Sequence, residues 1–154
     1  MPIYLSVDQI QGEVTALGFE GQIELASFSH GLSLPLATTD GRLDVTGRPS
    51  VAEINVTKAT DRASVRLIEA ALTAKVLAKA QITFTRTEQD RFVAYLIVDL
   101  TNARISSVAT SSGGDRPMEQ LSLACEQISW TYEPEAREAA TFGYDLLNAK
   151  ALPT

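Results

Sequence analysis

The chain has 154 residues, 45% hydrophobic and 21% charged, which is enough for one domain with its own core over residues 1–154. Its single cysteine, Cys125, has no partner for a disulfide within the chain and points to folding in a reducing compartment. A net charge of −6, with Lys and Arg scattered, argues against a nucleic-acid partner, which needs clustered basic residues.

The opening stretch MPIYLSVDQIQGEV has neither a basic n-region nor an apolar h-region, so no secretory signal is expected. Nowhere do about 18 apolar residues run together, so no membrane insertion is expected either. Ile3, Leu5 and Val7 alternate as in a strand with one face buried, and this period of two dominates the chain. In IELASFSHGLSLPL the apolar phase changes. Ile23 and Leu25 are odd-numbered, whereas Phe28, Leu32, Leu34 and Leu36 are even. From residue 27 the odd positions Ser27, Ser29, Gly31 and Ser33 are all small or polar.

Turn residues in TTDGR (38–42) and TGRPS (46–50) bracket a loop of over ten residues between Leu36 and Val51. Alternation resumes at Ile54 and Val56. One helix is then expected from TDRASVRLIEAALTAK, with Ser64 as N-cap and Asp61 as a competing cap one turn earlier. Val65, Ile68, Ala71 and Leu72 would form its buried face, with Arg62, Arg66, Glu69 and Thr73 opposite. Ala80, Ile82 and Phe84 alternate again, and TEQDR (87–91) reads as a hairpin connection into FVAYLIVDL (92–100). That run is apolar at nearly every position, as in a strand buried on both faces. SSGGDRP (111–117) reads as a flexible loop.

A second change of phase occurs in LSLACEQISWTYEP (121–134). Leu121, Leu123 and Cys125 are odd; Ile128, Trp130 and Tyr132 are even, with Gln127, Ser129 and Thr131 on the other face. Either this strand bulges, or both of its faces are covered over different parts of its length. Phe28, Ile128, Trp130 and Tyr132 are expected as core or interface anchors. A face of small polar residues suits a solvated channel or a tight interface, and equally an ordinary exposed sheet. The sum is a mainly β, mostly antiparallel domain with one short mid-chain helix, arranged as a barrel or sandwich.

No catalytic constellation emerges. The only histidine, His30, lies in the apolar phase between Phe28 and Leu32, and no G-x-S-x-G elbow exists. One His and one Cys cannot build a Cys/His zinc site, no calcium loop is present, and neither nucleotide fingerprint occurs. EPEARE (133–138) reads as a solvated charged turn, and Cys125 as an inert small core residue. No cofactor, metal or enzymatic activity is expected.

Three stretches, in order, resemble the Hcp family of type VI secretion tube proteins. They are GEVTALGFEGQIELASFSHGLS, INVTKATDRASVRLIEAAL (with Val65 where the family often has proline) and FVAYLIVDLTNARISSVATSSGGDRPMEQLSLACEQISWTYEP. ATFGYDLLNAK resembles the family's closing strand. The resemblance covers nearly the whole chain. It implies a barrel-like fold of two sheets with a flanking helix, related to phage tail-tube proteins. It also implies hexameric rings that stack into a hollow tube, held in a contractile sheath with a spike and baseplate and fired with effectors out of the bacterial cytoplasm.

On that resemblance, Ser27, Ser29, Gln127 and Ser129 are expected to face the lumen. The 37–50 loop, with Thr38, Asp40, Arg42, Leu43, Val45 and Arg48, is expected to contact an adjacent subunit or ring. The helix stripe of Arg62, Arg66 and Glu69 is a further outward or inter-ring candidate. A phage-like tail-tube protein and a soluble ligand-binding barrel are the competing readings.

Overall fold

The computed structural model describes residues 1–153. Its strands, in chain order, are β1 (Ile3–Val7), β2 (Ile23–Leu25), β3 (Ser27–Ser29), β4 (Leu32–Ser33), β5 (Leu36–Thr39), β6 (Arg42–Val45), β7 (Ser50–Val51) and β8 (Ile54–Ala59). Helix α1 (Ser64–Leu72) follows, then β9 (Leu77–Glu88), β10 (Arg91–Ser111), β11 (Met118–Ala124), β12 (Gln127–Tyr132), β13 (Ala140–Asp145) and β14 (Lys150–Ala151). Every pairing is antiparallel.

The 21-residue β10 is the spine. Its first half joins β9 and β12, giving one sheet in the order β14-β13-β12-β10-β9-β1-β2. Its second half joins β11, and the second sheet runs β10-β11-β8-β3. The sheets share β10 yet keep free edges at β2, β3 and β14, so they form an open sandwich and not a closed barrel. Leu5, Ile82, Val98 and Ile128 from the first sheet and Ile54, Val56, Leu121 and Leu123 from the second fill one core between them.

Both changes of phase mark places where the chain passes from one sheet to the other. LSLACEQISWTY is not one strand: β11 ends at Ala124 in the second sheet, and β12 begins at Gln127 in the first. Likewise β2 pairs with β1, and one residue later β3 pairs with β8. A strand entering the facing sheet must turn its opposite side inward to reach the same core, so the apolar phase flips. The odd-numbered face of 121–134 is therefore covered over β11 and the even-numbered face over β12, and the register shift beside it lies in β10, between Ile105 and Ser107.

The segment FVAYLIVDL occupies the centre of the first sheet. Val98 and Leu100 are buried, but residues 92–97 are only half-buried, so the run is not sealed on both faces. Its connection from β9 is a tight turn with left-handed Gln89 and Asp90 (φ 48° and 63°), as TEQDR suggested.

The helix departs from expectation in its buried face. Ala63, Leu67 and Ala70 pack inward, while Val65 is 70% and Leu72 83% exposed. The i, i+4, i+7 set of small residues around one leucine lets the helix approach β10 closely, which the bulkier Val65/Ile68/Leu72 stripe would prevent. Asp61 is the working cap: its Oδ1 accepts from Ala63 N–H at 2.9 Å, and Ser64 Oγ accepts from Asp61 N–H at 2.9 Å.

Candidate functional site

The expected pore-facing residues fall into two pairs. Ser27 and Ser29 on β3 align with Thr57 and Asn55 on β8, then with Gln120 and Ser122 on β11. Ser27 Oγ and Thr57 Oγ1 lie 2.6 Å apart, and Ser122 Oγ donates to Asn55 Oδ1 at 2.6 Å. Over these six residues the outer face of the second sheet is uncharged, built of short side chains, and exposed at Ser27, Ser29 and Gln120, with Glu53 and Arg104 exposed at one end. Gln127 and Ser129 sit instead on the outer face of the first sheet, aligned with Thr101 and Asp99.

That first-sheet face is charged and partly covered. Gln81 donates to Asp99 at 2.8 Å, Phe19 stacks on buried Tyr4 at 4.8 Å, and Leu152 lies against Gly143. The structure therefore does not bring the four together: with the core between the sheets, the two pairs face away from each other. Alternation alone gives the phase of each strand but not which sheet it belongs to.

Residues 32–51 form an arm rather than an irregular loop. Its base is the β4–β7 pair, and its outer part is the β5–β6 ribbon, closed by left-handed Asp40 and Gly41 (φ 50° and 74°). No strand of the arm pairs with either main sheet. Thr38, Asp40, Arg42, Leu43, Val45 and Arg48 all lie on it and all are exposed, Leu43 at 69% and Val45 at 60%. The signal for the ribbon was Asp40-Gly41 between Leu36 and Val45, which pair across it. Arg66 and Glu69 of α1 form an exposed ion pair at 2.9 Å, with Arg62 beside Glu13.

Of the expected anchors, Ile128 is buried, and Phe28 and Trp130 pack half-buried against the core. Tyr132 is 53% exposed: it lies in the right phase, but at the end of β12 where the facing sheet no longer covers it. Trp130 stacks between His30 (6.0 Å, 27°) and Phe142 (6.4 Å, 16°). Cys125 is half-buried, and burial pushes its thiol up to about 11, far from thiolate reactivity at neutral pH. Glu133 of the charged turn is clamped by the Arg86 guanidinium, which also holds Glu88 at 3.0 Å.

One cluster escaped the sequence reading. Lys58 is fully buried, with its Nζ donating to Ser64 Oγ at 2.9 Å and the Ala59 carbonyl at 3.0 Å. Its charge is met by Asp61 at 2.9 Å and by Glu119, directly opposite on β11, at 3.2 Å. Burial alone would raise the Glu119 pKa, but hydrogen bonds from Ser64 and Thr60 and the Lys58 charge outweigh it and leave the carboxyl below its ordinary value. The signal was present: in INVTKA, Lys58 continues the inward phase of Ile54 and Val56, where only a paired charge is tolerated. This cluster fixes the start of α1 to the second sheet.

Among the described residues, no group of three His, Cys, Asp or Glu side chains is placed to hold a metal ion. No helix among them is long and apolar enough to cross a membrane. An apolar cleft of about 370 Å³ is open and lies between Leu32, Pro49 and Val51 of the arm base and Trp130, Phe142 and Tyr144.

Comparison with known proteins gives a consistent picture. The family model described as type VI secretion system effector, Hcp, matches residues 4–132. Protein hcp1 of Pseudomonas aeruginosa is 26% identical over 143 residues, covering 92% of this chain and 88% of that protein. A solved type six secretion system protein superposes with a TM-score of 0.86 at 27% identity, over 98% of this chain and 99% of the other. Hcp1 from Salmonella typhimurium shares the fold, with a TM-score of 0.83 at 21% identity over 98% of both chains.

Proposed function

The chain belongs to the Hcp family of type VI secretion proteins, and from that premise we propose that it is a non-enzymatic tube subunit. It forms hexameric rings that stack, is fired by sheath contraction with the spike, and carries small effectors in the ring lumen. The observation that carries this reading is the arm. A two-stranded ribbon that exposes Leu36, Leu43 and Val45, while the domain core is complete without it, has its apolar side chains available only for another chain. Contact between an arm and a different surface of a second copy is heterologous. Such contacts close into rings or propagate as filaments, the two geometries a tube combines.

The lumen wall in this proposal is the outer face of the second sheet, with Ser27 and Ser29. A pore that passes cargo needs a smooth surface without fixed charge, and the Ser27/Ser29/Asn55/Thr57/Gln120 face supplies one. Gln127 and Ser129 then face the opposite side of the subunit. Replacing Ser29 with tryptophan is expected to leave rings intact and reduce effector retention; loss of rings would make Ser29 a packing residue. The assembly reading is tested by Leu43→Asp with Val45→Asp. Sedimentation should show that stacked particles are lost while circular dichroism stays unchanged, and stacking that survives both charges would contradict the arm's role.

A further inference from the structure

The arm is tied to the body of the domain by few contacts. Its base is closed by Ala52 N–H donating to the Gly31 carbonyl at 2.9 Å, Val51 packs half-buried against the edge of the core, and Arg48 reaches the Leu147 carbonyl at 3.5 Å. Between Leu32, Pro49 and Val51 on one side and Trp130, Phe142 and Tyr144 on the other lies the open apolar cleft. The remaining tie is His30, the residue before the arm begins at Gly31–Leu32. Its ring stacks on Trp130 and meets the edge of Phe28 at 6.4 Å.

Within this stack the imidazole Nε2 is shielded from solvent and has no hydrogen-bond partner among the described residues. A neutral imidazole tolerates that position by leaving Nε2 unprotonated. A proton there would place a charged N–H donor where no acceptor lies, in an apolar setting. The face of Trp130 does attract a cation, but at 6.0 Å between centroids it stands at the limit of that interaction.

The titratable groups on the elements packed around the ring are the phenols of Tyr132 on β12 and Tyr144 on β13, and the carboxylate of Asp145 at the end of β13, which accepts from the Leu147 and Asn148 N–H groups. Just past the arm, Glu53 accepts from Ser106 Oγ at 2.9 Å, and Arg48 lies within the arm. None of these is hydrogen-bonded to the ring. Burial holds the imidazole below its usual 6.5, and contact with the Ala52 backbone opposes that without reversing it.

We propose that His30 is a proton-sensitive pin at the base of the arm: a proton taken at its buried Nε2 unseats the ring from Trp130 and frees residues 32–51. The sign follows from the seated ring being neutral. Seating is complete above 6.5, where the released imidazole is also neutral. It weakens as pH falls below that value, because only the released form takes the proton. The consequence for assembly rests on the proposed role of the arm in ring stacking. Mild acid then loosens stacked rings, a regulation that acts through one side chain and leaves the core untouched.

The chain contains one histidine and one tryptophan, and the two are in contact, so the test is direct. Trp130 emission is followed between about pH 8 and about pH 5, alongside hydrogen–deuterium exchange of the 32–51 amides corrected for intrinsic rates. The expected result is one emission transition centred below 6.5. Arm exchange should be about tenfold faster or more at the acidic end. Both changes should be absent in His30→Phe, with His30→Leu as a second variant if the first does not fold. Flat emission in the native chain, unchanged arm exchange, or the same acid response in a folded variant would each overturn the proposal. Sedimentation over the same range reads assembly separately. A chain that never stacks contradicts the tube reading, while the emission and exchange data still decide the pin.

Discussion

Replacing Lys58 with methionine should invert the way stability depends on pH. Lys58 is fully buried, 2.9 Å from Asp61 and 3.2 Å from Glu119, whose side chain is 2% exposed. At an effective dielectric of about 20, each contact supplies about 5 kcal/mol of Coulomb energy before desolvation of three charges is subtracted. The methionine side chain would fill the same space but leave two carboxylates, one of them buried, without a cation.

Breaking a buried ion pair in this way costs about 3–5 kcal/mol, a large part of the roughly 5–15 kcal/mol that holds a domain together. In the native chain Glu119 has a lowered pKa, so its contribution is full above the ordinary carboxyl value of 4.5 and is lost as pH falls below it. In Lys58→Met the lysine's charge and hydrogen bond no longer lower that pKa, so the carboxyl takes its proton at higher pH than in the native chain, and protonation should relieve the destabilisation. The variant should therefore gain stability on mild acidification where the native chain does not. Replacing Glu119 with methionine as well should recover stability to within about 1 kcal/mol, since a packed apolar pair often substitutes for a buried ionic one. Urea unfolding read by Trp130 emission, below the concentration at which chains associate, measures all three. A loss under about 1 kcal/mol for Lys58→Met, with stability still falling in acid, would mean that water reaches the cluster and that the reasoning fails.

Two further predictions rest on packing. Leu67→Ala should cost about 2–5 kcal/mol as a core truncation, whereas Val65→Ala and Leu72→Ala, on the exposed side of α1, should each stay within about 0.5 kcal/mol by the same urea assay. Gly12→Ala should cost more than about 1 kcal/mol, because the new Cβ would stand 2.3 Å from the Gln22 carbonyl oxygen, a backbone atom that cannot swing aside; a neutral melting temperature would show that the 9–22 segment is free to move.

Much of the fold could be read from alternation, because each strand hides one face. Ile3/Leu5/Val7, Ile54/Val56 and Ala80/Ile82/Phe84 all point inward as expected, with only Ile3 and Phe84 less than fully buried. The interruptions at Ala26 and Cys125–Glu126 were visible too, but their meaning was not. A flip of phase is the same in sequence whether a strand bulges or the chain crosses to a facing sheet, and only the pairing partners distinguish them.

The helix misled because its largest apolar residues, Val65 and Leu72, are the exposed ones. A stripe of Ala63, Leu67 and Ala70 carries little hydrophobic weight, yet it permits the closest approach. Lys58 was passed over because a lysine in an inward phase reads as a solvated end of the strand until its partner Glu119, distant in sequence, is known. The same limit split the serine pairs: Ser29 and Ser129 look alike in sequence and lie on different sheets.

Assembly is the central claim. Native mass spectrometry of the purified chain, paired with negative-stain images of the same sample, tests it most directly. A tube subunit should give six-subunit particles with a central hole that persist on dilution, and a monomer at every concentration would contradict that assignment.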